Sequence, residues 1–227
     1  MVSLITDGRS TDPSGKPYPY RRALPVMILI TVLAVLGAVV WFRILTKPAE
    51  LSAPVVCNPP STSGPLEAGD PEPQPLGDVV SASTLLDVEP APLAATRVRV
   101  FNANGERGQA ADVASQLSDY GFASAPDVQS GNDPVYTDQN MQCQGQIRFG
   151  TNGLAAASSL WLAMPCAELV QDARTDDVVD LALGTYFRKI QPNTDAEEVL
   201  AALKTTAPGS AGAVDIDLLN AARTAHC

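Results

Sequence analysis

Histidine is nearly absent from this chain of 227 residues: His226 is the only one, and it is the penultimate residue. Nucleophilic catalysis of the Ser-His-Asp or Cys-His kind needs an imidazole held in place by the fold, and a chain end is badly placed for that. No pair of cysteines has the C-x2-C spacing of a zinc site, so neither a metal nor another cofactor is expected. Cysteine is missing from the first 56 residues; Cys57, Cys143, Cys166 and Cys227 all come later. Positive charge is scarce in the same part of the chain. Past Thr46 there are 10 Lys or Arg against 23 Asp or Glu, a net charge of −13. Such an acidic surface excludes general attraction to nucleic acid or to anionic lipid and favours solubility. No internal repeat of solenoid length is present.

What is present first is apolar. Leu24 to Phe42, LPVMILITVLAVLGAVVWF, carries no charge in 19 residues. As a helix rising about 1.5 Å per residue it spans roughly 28 Å, close to the thickness of a hydrocarbon core. Arg21 and Arg22 precede it directly, with Arg9 and Lys16 further back, while Arg43 and Lys47 follow. The larger positive cluster stays in the cytoplasm. Residues 1–22 therefore read as a cytoplasmic tail and 23–45 as a transmembrane signal anchor. A cleaved signal peptide is the competing reading; it needs a shorter apolar core and a small-x-small site, and here Ser52 and Ala53 are followed by Pro54. The length of the run and its Trp41-Phe42-Arg43 end favour an uncleaved, single-pass anchor with the C-terminal part outside. An even number of cysteines confined to that side is the pattern of two disulfides.

Ten prolines fall between residues 46 and 95, which excludes a continuous helix or a central strand there and predicts a semi-extended extracytoplasmic stalk. A folded domain over 96–227 follows. RVRVFNA (97–103) alternates as a strand with one covered face, and Gln109–Tyr120 places Ala110, Val113, Ala114 and Leu117 on one helical stripe stopped by Gly121. Residues 123–136 hold at most one short strand. GQIRFG (145–150) and VVDLALG (178–184) are clear strands, and LAAASSLWLAM (154–164) is a helix ended by Pro165. NTDAEEVLAALK opens with Thr194 and has Glu197 three residues on, a capping box, and DIDLLNAART is a last short helix from Asp215. The order β-α-(β)-β-α-β plus two C-terminal helices points to the α+β class. The expected architecture is a small, mainly antiparallel sheet with two helices on one face.

The helix after GQIRFG runs back along its strand, which brings Cys166 towards Cys143. The expected disulfides are therefore Cys143–Cys166 and Cys57–Cys227, with Cys57–Cys143 plus Cys166–Cys227 as the alternative. Asp176, Asp177 and Asp180 offer carboxylates for a glycosidase pair but read more simply as a solvated turn. Leu160, Trp161 and Met164 read as core rather than as a ligand-facing stripe. The A-x-G-x-x-G of Ala103, Gly105 and Gly108 is one substitution from a dinucleotide fingerprint. The buried parallel strand that should end near Asp127 is missing, so Gly105 and Gly108 are expected to shape a strand-to-helix turn. Around it Asn102, Asn104, Arg107 and Gln109 form a candidate binding turn for a polar ligand such as a sugar.

VRVFNANGERGQAADVASQLSDYGF, with its Asn-containing Gly-x-x-Gly turn and alanine-rich helix, resembles the LytR C-terminal domain family. IRFG, AAASSLWLAMPCAEL and DDVVDLALGTYF fit the second half of that domain, so the resemblance spans about Arg97 to Phe187. It implies a membrane-anchored, extracytoplasmic protein that supports the envelope of actinobacteria. In many relatives the domain follows a LytR-CpsA-Psr glycopolymer transferase. The proline-rich stretch before Arg97 has no room for one, so transferase activity is not implied. A non-catalytic envelope factor that binds or scaffolds cell-wall assembly proteins is the leading expectation. Direct binding of wall glycans is the alternative, followed by a carboxylate-based wall hydrolase.

Overall fold

The computed structural model describes residues 14–16, 24–46, 56–61, 73–207, 209 and 214–224. The chain divides into two compact units, 1–50 and 51–227. The expected cytoplasmic tail lies almost wholly outside the described residues, as do Cys227 and His226.

In the first unit the described residues form a helix, α1, over Leu24–Thr46. It is apolar all round, with Ile28, Leu33, Leu36 and Trp41 all exposed, so no side of it is set apart as a packing face. Among the described residues no helix is long and apolar enough to cross a membrane.

The second unit is built on one sheet. Its strands are β1 (Asp78–Val80), β2 (Arg97–Asn102), β3 (Ala123–Ser124), β4 (Ser130–Asn132), β5 (Gly145–Phe149), β6 (Glu168–Gln171) and β7 (Val179–Leu183). They lie in the order β1-β6-β5-β7-β2-β3, with β4 also paired to β2. The sheet is mixed, which corrects the expected antiparallel arrangement. Only β1–β6 and β5–β7 are antiparallel; β2 pairs parallel with β3, β4 and β7, and β5 with β6. The cause is two strand–helix–strand crossovers, since a helix between neighbouring strands returns the chain in the same direction. One uses α3 (Gln109–Tyr120) between β2 and β3; the other uses α4 (Leu154–Ala163) between β5 and β6.

The helices cover one face, as expected, although more than two do so. The main core unites Val98, Val100, Ile147, Phe149, Leu169, Val179, Leu181 and Leu183 of the sheet with the apolar stripes of α3 and α4. Residues of α5 (Thr194–Thr205) and α6 (Ile216–Ala222) belong to the same cluster. Leu160, Trp161 and Met164 are core, and the Trp161 indole N–H donates to the Pro165 carbonyl at 3.0 Å. Helix α5 is capped by Asn193 rather than Thr194: the Asn193 side chain accepts from the Ala196 N–H at 2.7 Å, while Thr194 is already the first helical residue.

Much of the expected stalk is part of this fold. β1 closes one edge of the sheet, and α2 (Ser83–Leu86) packs on α4. Leu85 and Leu93 are fully buried. The Ser158 and Ser159 hydroxyls donate to the carbonyls of Val88 and Ala91 at 3.0 and 2.7 Å. The Arg223 guanidinium, at the end of α6, donates to the carbonyls of Leu86 and Val88 and to the Ser158 hydroxyl. Prolines at 90 and 92 thus shape a covered connection into β2 instead of a spacer.

Among the described residues one disulfide is placed, Cys57–Cys143; it is a pair of the alternative set and overturns the preferred Cys143–Cys166 and Cys57–Cys227. Cys143 lies in a second cluster with Phe101, Ala103, Val135, Tyr136, Met141 and Ala182, whereas α4 ends in the main core across the sheet. The sheet therefore separates Cys143 from the end of that helix. Cys166 is itself disulfide-bonded, and its partner lies outside the described residues. Joining residues 86 apart contributes about 4–5 kcal/mol in the chain-entropy account of disulfides.

Candidate functional site

The turn between β2 and α3 is organised by two asparagines. Asn102 ends β2 and is buried; its Oδ1 accepts from the N–H groups of Asn104 and Gly105, both at 3.0 Å, and its Nδ2 donates to the Glu106 carbonyl at 2.7 Å. Asn104 Oδ1 accepts from the Glu106 N–H at 2.9 Å, while its Nδ2 donates to Gln109 Oε1 and to the Gly184 carbonyl, both at 2.8 Å. Gly105 and Gly108 sit at φ +80° and +81°, the left-handed region that a side chain disfavours. Gly108 stands at the N-cap of α3, so no side chain caps that helix.

The predicted binding residues thus separate into two kinds. Asn104 and Gln109 bond each other, and Asn104 also bonds the Gly184 carbonyl after β7. Asn102 and the exposed Arg107 line an open depression of about 340 Å³, together with Gly105, Gly108, Asn132 and Gln139. Asn132 is there because β4 pairs with β2 in a register that sets it opposite Asn102. Gln139 has a positive φ of 54°. Both were missed in the sequence; the five Asn, Asp and Gln residues between 132 and 140 were the available signal. The depression lies at the carboxyl ends of β2 and β4, the end where open sheets with parallel strands bind ligands.

On the helix-free face, alternate positions of the strands point into a buried polar network. Gln146, Arg148 and Glu168 are buried in it, with Asp133 and Tyr136 from the loop after β4. Arg148 donates to Asp133 Oδ1 at 3.0 Å and to Gln146 Oε1 through Nε and Nη2 at 3.0 and 2.9 Å. It also lies 5.6 Å from the centroid of the Tyr136 ring. Asp133 Oδ1 further accepts from the N–H groups of Val135 and Tyr136. Its Oδ2 is 2.9 Å from Arg148 Nη2, an ion-pair contact that lacks hydrogen-bond geometry.

Gln146 Nε2 donates to Glu168 Oε2 at 2.7 Å and to the Tyr136 hydroxyl at 3.3 Å. The network then reaches the segment around the disulfide: the Cys57 N–H donates to Glu168 Oε1 at 3.2 Å, and the Tyr136 hydroxyl donates to the Asn58 carbonyl at 2.5 Å. Burial pushes the Tyr136 phenol up to about 12, against a smaller lowering by the Arg148 charge.

A second group of charges lies nearer solvent. Arg99 donates to Asp180 at 2.6 Å and to Asp127 at 3.1 Å, and Arg174 donates to Asp180 at 2.6 Å and to Asp172 at 2.5 Å. Burial alone raises the Asp172 carboxyl, but the hydrogen bonds and charge of Arg174 outweigh it and hold the group below the ordinary range. The three carboxylates weighed as a glycosidase pair are all engaged. Asp177 pairs with Arg97, Asp176 accepts from the Val178 N–H at 3.1 Å, and Asp180 is a buried member of β7 rather than part of a solvated turn. Among the described residues no group of three or more His, Cys, Asp or Glu side chains is arranged to hold a metal ion.

Residues 95–187 match the family described as LytR cell envelope-related transcriptional attenuator, LytR_C. Over 219 residues, covering 96% of each chain, the sequence is 45% identical to the cell envelope integrity protein Cei of Mycobacterium tuberculosis. The fold is similar to the crystal structure of the soluble domain of a conserved hypothetical secreted protein from Mycobacterium marinum. That likeness has a TM-score of 0.59 at 46% identity and covers 68% of this chain and 100% of the other.

Proposed function

Because the chain belongs to the family of the cell envelope integrity protein Cei and carries a LytR_C domain, we propose that it is a non-catalytic factor for cell envelope integrity. It is held in the cell membrane by the apolar segment at 23–45, with its N-terminus in the cytoplasm and the disulfide-bonded domain outside. There it binds or scaffolds cell-wall assembly components, and the depression formed by Asn102, Gly105, Arg107, Gly108, Asn132 and Gln139 is the contact site. The observation that carries this reading is the 45% identity to Cei across nearly the whole length of both chains. The absence of charge from Leu24 to Phe42 supports the anchor.

The test is complementation. A deletion strain is expected to take up more of a membrane-impermeant dye, and the full chain is expected to restore the barrier while residues 1–50 alone do not. Restoration by residues 1–50 would remove the exterior domain from the account.

The polar lining of the depression favours a second reading, a module that binds wall glycan directly: the amide side chains of Asn132 and Gln139 and the guanidinium of Arg107 match sugar hydroxyls. Sedimentation with isolated wall polymers at physiological salt separates the two. Co-sedimentation that is lost in Asn132→Ala supports the glycan reading, and no co-sedimentation leaves the protein partner. The hydrolase reading has least support, since Asp176, Asp177 and Asp180 are each tied to a partner.

A further inference from the structure

Residues 56–61 lie over the helix-free face as a strap. They are held there by one covalent bond, by polar contacts and by the packing of Cys57 against the second apolar cluster. Val56, Pro59 and Ser61 are exposed, and no strap side chain is fully buried. The polar contacts are the Cys57 N–H to Glu168, the Asn58 carbonyl to the Tyr136 hydroxyl, and Asn58 to Gln142 and Asn140. Ser61 adds one to Asp138. Water can replace each of these once the strap lifts, so their net contribution is small.

The network underneath does not depend on the strap. Arg148 keeps Asp133 and Gln146, Glu168 keeps Gln146, and the Tyr136 hydroxyl keeps Gln146. The main apolar core is across the sheet and contains no strap residue. We propose that the Cys57–Cys143 disulfide is a thiol-operated latch: its reduction frees the strap, uncovers Glu168, Gln146 and Tyr136, and leaves the rest of the domain folded.

Exposure assigns the order of the exchange. Cys143 is fully buried whereas Cys57 is half-buried, so a dithiol reductant attacks Cys57 Sγ. The S–S bond breaks, its electron pair goes to Cys143 Sγ, and that sulfur takes a proton. The second thiolate of the reductant then attacks the mixed disulfide and releases Cys57, which is protonated in turn. Two electrons and two protons have passed to the protein, and the dithiol leaves as its own disulfide.

The test uses the full chain in detergent micelles, read by hydrogen exchange and mass spectrometry. Cys57→Ser combined with Cys143→Ser removes this bond and leaves the one at Cys166 in place. Amide exchange at Cys57 and Gln142 is expected to rise by about tenfold or more, while the amides of 97–102 and 154–163 stay protected although unfolding of the whole domain becomes easier without the bond. Mild dithiothreitol should give the same pattern in the parent, and reoxidation should reverse it. Strap amides that stay protected without the disulfide overturn the latch. So does loss of protection across β2 and α4, or a double variant that fails to fold, because the bond is then a brace of the whole domain.

Discussion

Asp133→Asn probes the helix-free face most sharply. The amide keeps an oxygen for the Val135 and Tyr136 N–H groups, now 2.6 and 3.0 Å from Oδ1, so the loop after β4 retains its local bonds. What disappears is the charge facing Arg148, whose side chain is 2% exposed against 0% for Asp133. Removing one partner of a buried pair costs about 3–5 kcal/mol, because the remaining charge stays desolvated. The loss here belongs near the lower end, about 3 kcal/mol, since Gln146 still accepts twice from Arg148. For a domain of this size, that lowers Tm by on the order of 10 °C. Thermal unfolding of the full chain in mild detergent measures it. Combining the change with Arg148→Met removes both charges, and the double variant should be more stable than the sum of the single losses by about 2 kcal/mol. Single-variant losses under about 0.5 kcal/mol, or strict additivity, refute the view of this pair as an ionic core.

Three further outcomes follow from the same contacts. Ultraviolet titration should show a phenol ionising near 12 that is absent in Tyr136→Phe. Since this group's pKa is raised in the folded state, its contribution is complete below pH 10 and fades between about 10 and 12. The Asp172 carboxyl is depressed, so its pairing with Arg174 stabilises above the ordinary value of 3.8 and is lost as pH falls below it; the difference in stability between parent and Asp172→Asn should shrink in acid. Asn193→Ala should destabilise α5 by about 1 kcal/mol in urea unfolding while Thr194→Ala changes little, because Asn193 supplies the cap.

Elements with long periodic patterns were legible in the sequence. The alternation of 97–103, the stripe at Ala110, Val113, Ala114 and Leu117, and the apolar run at 178–184 became β2, α3 and β7. β6 was not, because ELVQ is four residues with polar ends and follows a helix stop directly. Without it the α4 crossover is invisible, and the strands read as antiparallel. The polar positions of β5, Gln146 and Arg148, carry the usual signature of a solvent-facing side. They are buried because the loop at 133–144 and the strap at 56–61 cover them, and both are irregular segments with no periodicity to read. The disulfide failed for the same reason: which face Cys143 occupies depends on that loop. In the turn, Asn102 and Arg107 were found from local spacing, while Asn132 and Gln139 arrive through strand pairing and loop return, which spacing does not encode.

The account turns on whether the depression at the strand ends meets a partner in the living envelope. A photoreactive residue placed at Gln139, compared with one at the exposed Glu198 of α5, tests this directly. The prediction is a discrete crosslinked species from position 139 that is absent from 198 and diminished by Arg107→Ala. Identical patterns from both positions, or no adduct from 139, contradict it.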